Sequence, residues 1–367
     1  MTNYFSEKSL LKAPTERAAF SDRQAYVCAE LSRLAYFKFE GGHTLEEVLL
    51  IAKEIIDDDM KFLSLEVQLR NIFAGSDAGA ITSENAFKKI LNSADFKQVQ
   101  TFSEKGTQAF LCTRVSKLLD NPKKTVAYLV FRGTELKDLP DIKANINARL
   151  EKVIIDDETV ELHSGYVAAL NRIIEAVTLA LSNTTHQQLI ITGHSLGGAL
   201  AIIYTRRYAT GVNGACYTFG APPVGGIEVQ YGLKTPVYEI INELDVVPNL
   251  PNPWLTSVTS VLIKALRLCA KSITLIERVL ASGTWDDELE DYVNMMTRYR
   301  HPGYKSTLVG FGPDARLIYN MSSYDSVRLW TRMMYRHKFA EFKVLISDHL
   351  IDGYVEKLKS HALKRNS

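Results

Sequence analysis

Apolar positions recur at helical spacing through the first quarter of the chain, then alternate, then run unbroken, and each change of period marks a change of element. Ser21, with Gln24 three residues on, is a capping-box start, and Val27, Leu31, Leu34 and Ala35 follow on one helical face. Thr44 and Glu47 repeat the signature before Val48, Leu49, Ile51, Ala52, Ile55 and Ile56. Residues 61–95 read as more helix, broken by a loop at 74–79. Residues 1–95 are therefore predicted to be a helical extension whose apolar faces pack on a later sheet. From Phe96 the pattern alternates over 97–102, turns at 103–106 and resumes over 108–115, which reads as a hairpin. The run 125–131 is continuously apolar, as suits a strand buried on both faces. An amphipathic helix over 166–181, an apolar run at 189–191, a helix over 199–208 and strands at 215–219 and 237–242 follow. Strands alternating with helices predict an α/β fold with a mostly parallel central sheet flanked by helices, spanning 96–367 and interrupted by a helical insertion at 254–300. In such sheets ligands sit at the carboxyl ends of the strands.

Composition narrows the function classes. The 367 residues carry a net charge of +1, so no global field argues for nucleic acid. Four cysteines, Cys28, Cys112, Cys216 and Cys269, are widely spaced in apolar surroundings, which fits neither a disulfide framework nor a metal site. The first residues lack a charged-then-apolar signal pattern, and no stretch is long and apolar enough to span a membrane. The expectation is a soluble protein, cytoplasmic or exported without a cleavable signal peptide.

The chemistry centres on Gly193-His194-Ser195-Leu196-Gly197, between an apolar strand and a helix-forming run. Strand, sharp turn and helix is the setting in which a G-x-S-x-G sequence presents a serine nucleophile. A serine hydroxyl needs a base to take its proton, usually a histidine oriented by a carboxylate, and the chain order on such an elbow is Ser, then Asp or Glu, then His. Downstream, Asp245 lies just past the strand ending at Asn242 and is shielded by Val246, Val247 and Pro248, whereas its rival Glu243 reads as a solvated charge. Of the later histidines, His337 sits in a basic helix face, His361 near a polar, frayed terminus, and His301 in a turn before a strand near Leu308. His349, at the start of a helix running through Tyr354 and Leu358, is the preferred base. An oxyanion hole needs backbone N–H donors. Leu196 supplies one, and the loop after the 125–131 strand supplies the other at Thr134, with Arg132 read as a structural tie.

These segments, with His163-Ser164-Gly165-Tyr166 and the run 217–225, resemble the class 3 lipase family, the fungal-triglyceride-lipase type of α/β hydrolase. The resemblance covers roughly residues 125–250. It implies an α/β-hydrolase fold, hydrolysis of carboxylic esters of lipids and no cofactor or metal. It also implies Ser195 as nucleophile, Asp245 as acid, and Thr134 with Leu196 as oxyanion donors. A catalytic histidine late in the chain favours His349 over His301, which falls where the family has a non-catalytic histidine. The segment 136–149, where the family's lid lies, is polar here. In the insertion, Lys264, Arg267, Lys271 and Arg278 fall within an arc of roughly 60° on an apolar helix, so 256–282 is a candidate for peripheral contact with anionic membrane against the competing reading of a solvated face. The alternatives are a phospholipase A, an acyltransferase using the same acyl-enzyme, a non-catalytic lipid-binding protein, and an interaction protein docking through the first helices. Acyl length, headgroup and oligomeric state are not encoded in any pattern found.

Overall fold

The computed structural model describes residues 3–13, 18–37, 86–116, 124–133, 150–209, 213–243, 245, 247–249, 298–310, 312–320 and 348–366. The predicted helix at 44–56, the loop at 74–79, Thr134, the segment 136–149, the stripe at 256–282, Cys269 and His337 lie outside them.

Helix α1 (Asp22–Leu34) starts where the capping signal places it: the Ser21 hydroxyl accepts the Gln24 N–H at 3.3 Å. Only this half of the predicted box forms. Gln24 faces the sheet, donating to Cys28 Sγ at 3.4 Å and accepting from the Tyr128 hydroxyl at 3.5 Å, and the Ser21 N–H goes to the Tyr217 hydroxyl at 3.1 Å. The hairpin is β1 (Phe96–Glu104) and β2 (Thr107–Ser116). Lys105 and Gly106 turn between them with φ of 46° and 79°, the two-residue geometry whose twist matches the strands.

Strand β3 (Lys124–Phe131) pairs antiparallel with β2 and is buried from Val126 onward. Next comes a hairpin absent from the sequence reading, β4 (Leu150–Ile155) and β5 (Glu158–His163), which forms its own two-stranded sheet. Then follow α2 (Ser164–Ser182), β6 (Gln188–His194), α3 (Leu196–Tyr208), β7 (Ala215–Phe219), the short α4 (Glu228–Tyr231), β8 (Val237–Asn242), β9 (Tyr304–Val309), β10 (Arg316–Tyr319) and α5 (Ile351–Asn366). Among the described residues the main sheet has eight strands in the order β1-β2-β3-β6-β7-β8-β9-β10. β3, β6, β7, β8 and β9 run parallel, and the edges are antiparallel.

Alternation along the strands divides the core. Ala127, Leu129, Phe131 and Ile191 pack with α2 and α3 on one face, while Tyr128, Val130, Ile190 and Tyr217 pack with α1, α5 and the buried Phe5 and Leu10 on the other. Helices on both faces of a mostly parallel sheet, with a strand-turn-helix elbow at β6–α3, make this the α/β-hydrolase fold. On the second face α1 and α5 are clasped together. Arg33 of α1 pairs with buried Glu30 at 2.6 Å and reaches Asp352 of α5 at 3.2 Å, and Glu30 also accepts the Phe5 N–H at 3.0 Å. Cys28, Cys112 and Cys216 are buried and unbridged, and burial pushes the Cys28 thiol up to about 12. Among the described residues no helix is long and apolar enough to cross a membrane, and no cluster of His, Cys, Asp or Glu is arranged to hold a metal.

Candidate active site

The elbow is built by close packing. Ser195, between the end of β6 and the first residue of α3, has φ 57° and ψ −128°. A non-glycine residue there costs about 1–3 kcal/mol and persists only where its surroundings over-determine it. They do: the Ser195 N–H donates to the Phe219 carbonyl at 2.9 Å, and a Cβ on Gly193 would fall 2.2 Å from the carbonyl oxygen of Gly197. β3 pairs with β6 up to Phe131 and Gly193, so the end of β3 lies beside the turn.

His349 sits in the loop before α5, with Nε2 2.8 Å from Ser195 Oγ and Nδ1 2.8 Å from Asp245 Oδ2. A carboxylate only accepts, so Nδ1 carries the hydrogen and the bare Nε2 faces the serine hydroxyl. Asp245 lies three residues past β8. Its Oδ1 accepts the Val247 N–H at 2.9 Å, and its Oδ2 accepts the Tyr354 hydroxyl at 2.5 Å. Ser195, Asp245 and His349 are 2%, 1% and 2% exposed, so their mutual hydrogen bonds are shielded from water. Leu196 is the first residue of α3, at the helix end that favours negative charge. Three of the residues singled out from sequence thus come together around Ser195.

A second ring of residues holds this set, and sequence reasoning missed all of it. Tyr354 accepts the Asn242 N–H at 3.0 Å while donating to Asp245; its pKa stands well above the usual value because it is buried and next to the Asp245 charge, so it stays a donor. Asn242 donates to the Asp348 carbonyl at 2.8 Å and accepts from Lys357 Nζ at 2.6 Å, tying the His349 loop to β8. Gly220, at the end of β7, has φ +58°, and a Cβ there would lie 2.6 Å from Asp245 Oδ2 and 3.1 Å from His349 Nδ1. A glycine right after a buried strand was the one available signal for such an approach. Gly220→Ala is expected to cost about 1–3 kcal/mol in stability. By moving Asp245 or His349 it should also cut kcat about a hundredfold. Thermal melts and initial rates on one soluble ester check both, and wild-type kinetics would refute it.

His194, next to the serine, is buried, and burial first and neighbouring His349 second hold its pKa well below 6.5. Folded protein keeps His194 neutral, whereas the unfolded chain takes up that proton as pH drops below about 6.5, so its contribution to stability is full above that pH and falls below it. The expected slope is about 1.4 kcal/mol per pH unit below 6.5. Urea melts of wild type and His194→Gln between pH 7 and 5 measure it: the variant should have the flatter profile, and identical profiles would rule this out.

The other histidines fall elsewhere. His301 bonds Glu239 through Nδ1 and the Pro248 carbonyl through Nε2 at 2.6 Å, and these two bonds make it a brace for the Asp245 loop. Burial pushes the Glu239 carboxyl up, but His301 and the Gly303 N–H outweigh it and hold the pKa below the usual range. His361 corrects the sequence expectation of a frayed terminus. It is buried within α5, accepts the Leu317 N–H at 3.3 Å and lies 3.2 Å from Asp22, which anchors the helix end.

Fold and geometry define a chain with a serine elbow, a histidine and a buried carboxylate in hydrogen-bonded series on an α/β-hydrolase sheet. Residues 128–254 match the model of the class 3 lipase family. The lipases of Rhizopus niveus and Rhizopus oryzae are each 28% identical over 152 residues, covering 36% of this chain. The match spans only 37% of either relative's length. Lipase II from Rhizopus niveus is a similar solved structure, at 19% identity and a TM-score of 0.40, covering 62% of this chain and 70% of that one.

Proposed function

We propose that this protein is a serine hydrolase of carboxylic esters in lipids, working through an acyl-enzyme on Ser195. The observation that carries the reading is the unbroken series Ser195–His349–Asp245, with both links at 2.8 Å. Ser195 Oγ attacks the ester carbonyl as its proton passes to His349 Nε2, and Asp245 holds the resulting imidazolium through Nδ1–H. The carbonyl oxygen becomes an oxyanion and is met by the N–H of Leu196 and, by family resemblance, by Thr134. His349 returns the proton to the leaving alcohol. Water, deprotonated by the same Nε2, then cleaves the acyl-enzyme and frees the acid. No step calls for a cofactor. The match of residues 128–254 to the class 3 lipase model supports the lipid-ester class.

The test is hydrolysis of p-nitrophenyl esters from C2 to C16, with fluorophosphonate labelling of wild type and Ser195→Ala. Turnover and labelling that both vanish in Ser195→Ala are expected, and the chain-length optimum then separates esterase from lipase. A folded wild type that neither turns over nor labels is a binding protein on a hydrolase scaffold instead.

A further inference from the structure

Tyr36, just past the end of α1, reaches the active site from the helical first quarter, which the sequence reading left without chemistry. Its hydroxyl is 2.7 Å from His194 Nδ1, and His194 Nε2 is 2.7 Å from the backbone carbonyl oxygen of His349. A carbonyl accepts only, so Nε2 must carry the hydrogen. Burial and the adjacent His349 keep His194 neutral, which leaves Nδ1 bare to accept from the tyrosine. The direction of each bond is therefore fixed: Tyr36 O–H to His194 Nδ1, then His194 Nε2–H to the carbonyl of His349. Among the described residues the groups that face His194 are His349, with ring centres 4.7 Å apart, Tyr354 at 5.9 Å and Tyr36 itself, whose ring lies 5.9 Å from the Arg132 guanidinium. None of them is an anion that would favour a charged His194. The same hydroxyl sits against the end of β3: a Cβ on Gly133 would fall 2.1 Å from it and 2.5 Å from the His194 carbonyl oxygen.

We propose that Tyr36 and His194 are positioning residues, a directed pair of hydrogen bonds that clamps the main chain of His349 so that its Nε2 stays on Ser195, and that α1 is thereby part of the active site. The inference rests on the reading of Ser195, His349 and Asp245 as the reacting set. Each acts through His349.

Two measurements test it. In protein labelled with 15N-histidine, with the His194 signal assigned from His194→Gln, His194 is expected as the neutral Nε2–H tautomer from pH 8 to pH 6. An Nδ1–H tautomer, or imidazolium at pH 6, overturns the clamp whatever the activity. On p-nitrophenyl butyrate, Tyr36→Phe should lower kcat about tenfold with KM within twofold, and slow phosphonylation of Ser195 by a p-nitrophenyl alkylphosphonate equally. His194→Leu should lose about a hundredfold. His194→Gln, whose amide can still donate to the His349 carbonyl, should recover part of that loss, a rescue that a packing role alone would not give. Tyr36→Phe within twofold of wild type in both rates overturns the proposal. A wild type inert to phosphonate and ester overturns the hydrolase reading beneath it, while the tautomer still reports on the hydrogen bonds.

Discussion

Ser195→Ala and His349→Ala are each expected to lower kcat about a millionfold, and the double variant no further. On the proposed mechanism the two side chains make one nucleophile. Without Nε2 at 2.8 Å the hydroxyl keeps its proton, and without the hydroxyl the base has nothing to activate. What survives is the binding and oxyanion stabilisation that a water molecule can still exploit, about 10³–10⁴ over the uncatalysed rate. Neither downstream described histidine can take over as base, since His301 is held by Glu239 and Pro248, and His361 is buried against Leu317 and Asp22. Initial rates on one soluble ester for both single variants and the double variant decide the matter. A His349→Ala variant down only tenfold, or losses that multiply in the double, would remove His349 from the role of base.

Asp245→Asn is expected to cost about 10⁴ in kcat with the fold intact. The direction of the damage follows from the donors around the carboxylate. The Val247 N–H points at Oδ1 and cannot turn away, so the asparagine oxygen must take that position. The amide nitrogen is then forced to the Oδ2 side, where it faces His349 Nδ1 and the Tyr354 hydroxyl. An N–H donor opposite Nδ1 drives the ring hydrogen to Nε2, where it points at Ser195 and cannot accept the serine proton. Nitrogen-15 spectra should show His349 changing from the Nδ1–H to the Nε2–H tautomer in the variant. A variant with unchanged tautomer and near-normal kcat would mean that Asp245 does not orient the base.

The sequence makes the elbow legible because everything it needs is local: two glycines, an apolar strand before and a helix-former after, all within one turn. Asp245 and His349 were reached by elimination along the chain, one placed by the strand that ends before it and the other by the helix that begins after it. The supporting residues left no such trace. Tyr36 meets His194 across 158 positions, and Tyr354 meets Asp245 across 109, and each reads locally as an ordinary aromatic near a helix end. The β4–β5 hairpin escaped because few residues mark its inner face: Ile155, Val160 and Leu162 are buried, while the neighbouring Ile154 points outward and is 76% exposed. His361 was misjudged because polar neighbours near the last residues look solvated, and only the fold brings Leu317 and Asp22 against it.

The clasp between α1 and α5 bears on how the molecule is made. During synthesis β6, the elbow and β7 leave the ribosome long before the segment that carries His349, so the serine emerges unarmed. Its base, the tyrosine behind Asp245 and the lysine behind Asn242 all arrive on the α5 segment, and that helix packs against α1, which was made first. On the proposed mechanism a growing chain is chemically silent next to the cell's own membranes, and hydrolysis begins when the early and late helices close on each other.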